Sequence, residues 1–286
     1  MNLLQHLRRF WLLPALLAIS VLLSLWACAN PLLLKKSSVE TISSAAVPIT
    51  SPDQVAGLAG WFRVEDTNTT LFTTYSPDVL AASGESISFW SNHLGGTEWF
   101  QSSVSGRPIF NTNRANGHGA LTFVGSDDWM EYRNTSEGSS WLQGVSSTLF
   151  IVCSNGLPQA GTDRALFSNS TNGNMQIGFH GTNQNYVYSD QIGQIYPGFT
   201  NDNFRRHVFV SQITTSSNRL LINHSSSSWV TNPVSSYFQN ELVGSAGGFS
   251  GADVQIWEVL WYTNSLTEAN RTAVTDLLIS RYSITP

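Results

Sequence analysis

From Gly57 onward the chain is built of short runs in which β-branched and aromatic residues alternate with polar ones: "ESISFWSN", "ALTFVGSDD", "STLFIVCSN", "RALFSNSTNG", "NMQIGFHG", "NYVYSD", "RRHVFVSQIT", "NRLLINHS" and "VQIWEVLWY". A period of two puts every second side chain on one face, so each run suits a strand with one buried side. Gly, Asn, Asp and Ser punctuate the runs where hairpin turns and short loops need them. No grammar of alternating strand and helix is present, which sets a parallel sheet aside and leaves an antiparallel β-sandwich or barrel. One helix is expected, at the C-terminus. Ser265 and Glu268 have capping-box spacing, and Ala269, Ala273, Val274, Leu277 and Leu278 recur as an apolar stripe with Arg271 and Arg281 outside it. The chain is expected to leave that helix as a free end over 283–286.

A separate object precedes the strands. Arg8 and Arg9 are followed by "FWLLPALLAISVLLSLWACA", 20 residues (10–29) without a charge, the length of a membrane-spanning helix and the grammar of an export signal. Three readings stay open: an uncleaved anchor, a cleaved signal peptide, or a lipoprotein in which "LWAC" carries the lipid on Cys28. Each places the remainder outside the cytoplasm. The expected organisation is therefore a signal or anchor over 1–30, a Ser- and Pro-bearing linker over 31–56, and one domain over 57–286.

Composition narrows the partners. Charged residues are 12% of the chain, about half the usual share, and its net charge is −5 without a basic stripe, so nucleic acid is set aside. The two cysteines, Cys28 and Cys153, make no disulfide framework, and Cys153 in "STLFIVCS" reads as a small buried hydrophobe. Asn68, Asn134, Asn169, Asn223 and Asn270 head Asn-x-Ser/Thr sequons that would accept glycans in a eukaryotic secretory pathway.

Three stretches carry a family resemblance. "GLAGWFRVED" (57–66) is similar to an opening strand that leads to an acidic loop. "ISFWSNHLGGTEWFQSSVSGRPIFNTNRANGHGALTFVGSDDWME" (87–131) is similar to a Trp strand, an Arg-Pro loop, a Gly-rich turn and a Phe-x-Gly-x-Asp-Asp element. "GGFSGADVQIWEVLWYTNSLTEANRTAVTDLLISRY" (247–282) resembles a closing Gly-rich loop, strand and capped helix. Over about residues 57–284 the chain resembles the concanavalin A-like lectin/glucanase superfamily in its laminin-G-like jelly-roll form. The resemblance implies two antiparallel sheets packed face to face, with the first and last strands together, and functions that range from lectins and adhesion modules to glycoside hydrolases.

Glu258 interrupts the apolar run "VQIWEVLWY" and raises the question of catalysis. Hydrolases of this fold carry paired carboxylates on one strand, in laminarinase-type members as Glu-x-Asp-x-Glu, whereas Ile256 and Leu260 are the period-two neighbours of Glu258. A lone buried carboxylate needs hydrogen-bond donors, so Glu258 is expected to accept them from an Arg or a loop. In "GSDDWMEY", Asp127, Trp129 and Glu131 would share a face, and Asp127 with Glu131 is the alternative acid/base pair. The favoured reading is a turn in which Asp127 or Asp128 bonds the backbone, and a weak calcium site built of loop oxygens is a third use of the same groups. His93, His118, His180, His207 and His224 show no zinc spacing, and no Gly-x-Ser-x-Gly elbow is present. Sugar rings stack on aromatic faces, so the aromatics read as loop residues, Trp99, Trp129, Tyr186, Tyr188 and Trp229, with Tyr196 and Tyr237, are the candidate platform, while Trp61, Trp90, Trp257 and Trp261, read as strand residues, are expected in the core.

The sequence thus points to an exported, membrane-tethered jelly roll that recognises glycans or surface partners without catalysis, with no cofactor except the calcium option. The alternatives are a glycoside hydrolase or lyase of the same fold and a structural surface or filament subunit.

Overall fold

The computed structural model describes residues 48–65, 70–75, 78–124, 128–134, 146–155, 164–169, 175–180, 185–190, 193–195, 205–226, 230–231, 241–244 and 254–285. The apolar segment 10–29 and Cys28 lie outside them. Among the described residues, no helix is long and apolar enough to cross a membrane.

Nineteen described strands form two antiparallel sheets. The first runs in the order β16 (Ser225–Ser226), β15 (Ser217–Ile222), β14 (Arg206–Ile213), β9 (Ser147–Asn155), β19 (Val254–Tyr262), β7 (His118–Phe123) and β6 (Ile109–Ala115). To it β1 (Leu58–Arg63) adds on β19 and β17 (Val230–Thr231) on β15. The second runs β13 (Gly193–Ile195), β12 (Asn185–Asp190), β11 (Met175–His180), β10 (Arg164–Asn169), β18 (Glu241–Gly244), β8 (Trp129–Asn134), β5 (Thr97–Phe100), β4 (Phe89–Ser91), β2 (Leu71–Tyr75) and β3 (Asp78–Leu80). Each run read from the sequence holds a strand, and β1 pairs with β19 from Leu58↔Tyr262 to Arg63↔Glu258, which brings the first and last strands together.

Two apolar layers hold the sandwich. Phe62, Trp90, Trp99, Met130, Ile151, Phe167, Phe209 and Val259 fill the space between the sheets. The strand residues that alternate with these, Phe150, Val152, Val208, Leu221 and Leu260, form a second layer with Val274, Leu278 and Tyr282 of the helical end. The molecule is therefore sheet on sheet on helix.

The helix, α1 (Glu268–Arg281), departs from expectation at both ends. Its cap is Thr267, whose hydroxyl accepts from the Asn270 amide at 3.3 Å, and Ser265 lies two residues too early to cap it. The buried stripe is Arg271, Val274, Thr275 and Leu278, so the face is rotated and Ala269 is exposed. Arg271 and Arg281 both turn toward the sheet because long cationic side chains cover apolar surface with their stems. The C-terminal end is pinned as well. Ser283 sits at φ 48° and donates to Ser280, and the Ile284 amide donates to Ile279 at 2.9 Å while its side chain enters the helix-side core. This is a Schellman arrangement with serine in the left-handed position.

The N-terminal boundary also moves. Residues 51–55, expected in the linker, form a 3₁₀ turn (Pro52–Gln54) that buries Pro52 and Val55, and the Tyr262 hydroxyl donates to the Pro52 carbonyl at 2.9 Å. The domain is thus folded before Gly57.

Ser283→Gly removes the Cβ penalty of the left-handed position. The expected result is a gain of about 0.5–1 kcal/mol in stability, read as a higher urea midpoint at unchanged m.

Candidate functional site

Glu258 sits on β19 where the pairing with β9 slips between Ile256 and Glu258. The bulge places Trp257 and Glu258 on one side in succession, so Glu258 shares its face with Leu260 and Tyr262, and Ile256 belongs to the opposite layer. Its carboxylate is fully buried and its two oxygens receive four hydrogen bonds. Trp61 Nε1 donates to Oε1 at 2.7 Å, Arg281 Nη1 to Oε1 and Oε2 at 2.7 Å each, and the Tyr282 hydroxyl to Oε2 at 2.8 Å. Burial works against the Arg281 charge, but the charge and hydrogen bonds of Glu258 outweigh it and hold the guanidinium above its ordinary pKa. Burial, then Glu258, pushes the Tyr282 phenol up as well, keeping it a donor. All the acceptor capacity of Glu258 is spent on the fold, as the sequence argument expected.

The rim of this cluster is polar. The Arg63 guanidinium lies 5.3 Å from the Trp61 ring and pairs with Glu65, and His93 packs on Trp61 with centroids 5.3 Å apart. Burial, then the Arg63 charge, lowers the His93 pKa, with Arg281 acting in the same direction and Glu258 and the Arg63 backbone against it. Asn92 fixes the hairpin that carries His93: its Oδ1 accepts from the Trp61 and Leu94 amides, and its Nδ2 donates to Ala59 O and Thr97 Oγ1.

A different arrangement occupies the outer face of the ten-stranded sheet. Backbone pairing sets Phe72 opposite Phe89, Phe89 opposite Phe100, and Phe100 opposite Glu131. Their strand neighbours Leu71, Trp90, Trp99 and Met130 belong to the inter-sheet core, so alternation turns this row outward. The Phe89 and Phe100 rings lie 4.8 Å apart at 36°. Phe89 is buried, while Phe72, Phe100, Glu131 and Trp129 are half-buried on the same face. An aromatic row that ends in a carboxylate offers flat apolar contact with a hydrogen-bonding group at one end.

The candidates from sequence distribute unevenly over this face. Trp129 and Glu131 lie on it. Trp99 is a correction: it is not a loop residue but the inward residue of β5, fully buried against Phe62 and Tyr132, where no ligand stacks. Asp128 takes the turn role, its Oδ2 accepting from the Val124 amide at 2.8 Å. Tyr186 and Tyr188 lie on β12, not in a loop. Asp127, Tyr196, Trp229 and Tyr237 are outside the described residues. Among the described residues, no group of three His, Cys, Asp or Glu side chains is placed to hold a metal ion. Trp90, Trp257 and Trp261 are core, whereas Trp61 is half-buried over Glu258. The phenylalanines of the row were missed, although "FWS" and "TEWF" each set a Phe beside a Trp, and pairing the two tryptophans inward would have aligned the two phenylalanines outward.

No family model matches the sequence, and no curated protein does. Solved structures do. A Trypanosoma rangeli sialidase in complex with 2,3-difluorosialic acid superposes with a TM-score of 0.56 at 10% identity, over 81% of this chain and 36% of that one. A mutant of that sialidase displaying trans-sialidase activity gives 0.54 at 11% identity, over 81% and 34%. The binding domain of Paraclostridial Mosquitocidal Protein 1 gives 0.50 at 11% identity, over 78% and 52%. The chain spans about a third of the length of the sialidase chains, and at these identities the likeness is one of fold.

The buried ion pair makes a directional prediction. Glu258→Gln leaves the Arg281 charge buried without its partner and is expected to cost about 3–5 kcal/mol, whereas Glu258→Gln with Arg281→Met costs less than the sum of the single changes, as a denaturation double-mutant cycle would show. His93 sets a pH dependence. Its folded pKa lies below the ordinary imidazole value of 6.5, so the unfolded chain binds the proton first and stability falls as pH drops below 6.5 toward the folded pKa. His93→Asn should flatten the acid limb of a stability–pH profile.

Proposed function

We propose that this chain is an exported, membrane-tethered recognition module that binds glycans on the outer face of its ten-stranded sheet, without catalysis. One observation carries the reading: the cross-strand row Phe72–Phe89–Phe100–Glu131, flanked by Trp129. The half-buried rings of Phe72 and Phe100, backed by the buried Phe89, meet the C–H faces of a saccharide, and Glu131 accepts from its hydroxyls. The fold likeness to a sialidase in complex with 2,3-difluorosialic acid supports a carbohydrate ligand. The apolar segment 10–29 supports export and tethering, with Cys28 as the lipid carrier if the segment is cleaved before it. Calcium is an optional participant through oxygens near Asp127 and Asp128.

The test is a glycan and polysaccharide binding screen of the full chain, with calcium and with chelator, scored in parallel for released reducing ends. Binding without product is expected. Phe100→Ala should weaken the best ligand about tenfold or more while the far-ultraviolet spectrum is unchanged. Product formation that Glu131→Gln abolishes would replace the reading with a hydrolase.

A further inference from the structure

On the other side of the molecule, beneath the first turn of α1, lies a polar patch that neither the Glu258 cluster nor the aromatic row uses. Thr148, Gln212 and Arg219 stand opposite one another on β9, β14 and β15, on the face that packs against the helix. Each of the first two is committed. Thr148 Oγ1 donates to Asn264 O and accepts from the Leu266 amide, and Gln212 Nε2 donates to Leu266 O. Gln212 Oε1 receives Arg219 Nε at 2.9 Å and Nη2 at 2.7 Å, which orients that guanidinium along the sheet.

Arg271 enters the patch from the helix. Its side chain is only 9% exposed, its Nη1 is buried with no hydrogen-bond partner among the described residues, and its Nη2 stands 3.7 Å from Glu268 Oε1, beyond hydrogen-bond length. Glu268 itself is 83% exposed, so it neutralises Arg271 weakly. The two arginines feel each other: burial lowers the Arg219 pKa first, and the Arg271 charge lowers it further. A buried guanidinium with an unmet N–H, beside a second arginine and at the positive end of a helix 14 residues long, is a site of excess positive potential in a chain whose net charge is −5.

We propose that the Arg219–Arg271 patch binds a small oxyanion, which displaces the Glu268 carboxylate and accepts from the Arg271 guanidinium. The ligand chemistry is a planar or tetrahedral group that can take charge-assisted hydrogen bonds from two nitrogens of one guanidinium: carboxylate, phosphate or sulfate. It is either a free ion or the acidic group of a saccharide. The access route is the exposed Glu268 side, because swinging that side chain into water breaks no hydrogen bond of the fold.

The probes are inorganic phosphate, inorganic sulfate and D-glucuronate, each titrated against the full chain in neutral detergent at fixed ionic strength, with chloride as the reference. The readouts are the ¹⁵N resonance of Arg271 Nε, assigned by its loss in Arg271→Lys, and the melting temperature. A saturable shift with at least one probe is expected. Glu268→Gln, an exposed change that leaves the fold intact, should tighten that binding about twofold to fivefold, the worth of an exposed ion pair. Arg271→Met should abolish it. Inorganic ions that bind at least as tightly as glucuronate identify a free ion, and the reverse order identifies a saccharide acid. No saturable shift in either the parent chain or Glu268→Gln overturns the proposal, as does a shift that survives in folded Arg271→Met. The outcome is independent of the glycan screen, since the aromatic row lies on the opposite sheet.

Discussion

The carboxylate of Glu258 joins three parts of the chain that must meet for the sandwich to close, the first of which lies 197 residues away in sequence. It takes the Trp61 indole N–H from the first strand, it belongs to the last strand, and it takes Arg281 and Tyr282 from the end of the helix. A buried carboxylate costs several kcal/mol unless its lone pairs are filled. Four hydrogen bonds from three side chains fill them here, so the hub tolerates one arrangement of strand, strand and helix. Asn92 performs the neutral counterpart of this task at the neighbouring hairpin, where its amide holds the β4–β5 turn to the backbone of β1. Together the two side chains fasten the hairpin of the ten-stranded sheet and the helix to the same first strand.

The bulge at Trp257–Glu258 makes the hub possible. In an unbroken strand Glu258 would share the face of Ile256 and point between the sheets, into the apolar cluster that holds Phe62, Trp90 and Trp99 and away from Arg281. One extra residue turns it toward the helix instead. Nothing in the letters "VQIWEVLWY" marks that slip, because a run apolar on both faces has no alternation to break. The sequence therefore indicated that Glu258 needed an arginine without showing which face it would find one on.

The same logic explains what was legible elsewhere. The strand-forming runs announced themselves, and all nine quoted runs contain a strand. The helix was legible in kind and place, but its stripe was drawn from apolar residues alone, while packing also recruited Arg271, Thr275 and Arg281. Trp99 was misplaced for a related reason: Gly95 and Gly96 precede it and signal a loop, yet both take positive φ in a tight hairpin and the strand resumes at once. The aromatic row was invisible because it depends on register between five-residue and shorter strands, which single-strand periodicity does not specify.

Register also bears on chemistry. Glu131 lies on the outer face of the ten-stranded sheet, and Glu258 lies on the helix side of the nine-stranded sheet. Two packed sheets alone separate such faces by more than about 10 Å, which exceeds the spacing of roughly 5–9.5 Å that glycosidic bond cleavage by paired carboxylates requires. These two glutamates therefore cannot act on one bond. Asp128, the nearest described acid in sequence to Glu131, holds the Val124 amide and is committed to its turn. Glu98 is the described carboxylate that shares this face: it precedes Phe100 by two residues on β5 and lies diagonal to Glu131 across the β5–β8 pairing. Register, not nearness in sequence, thus decides which acids of this chain share a face.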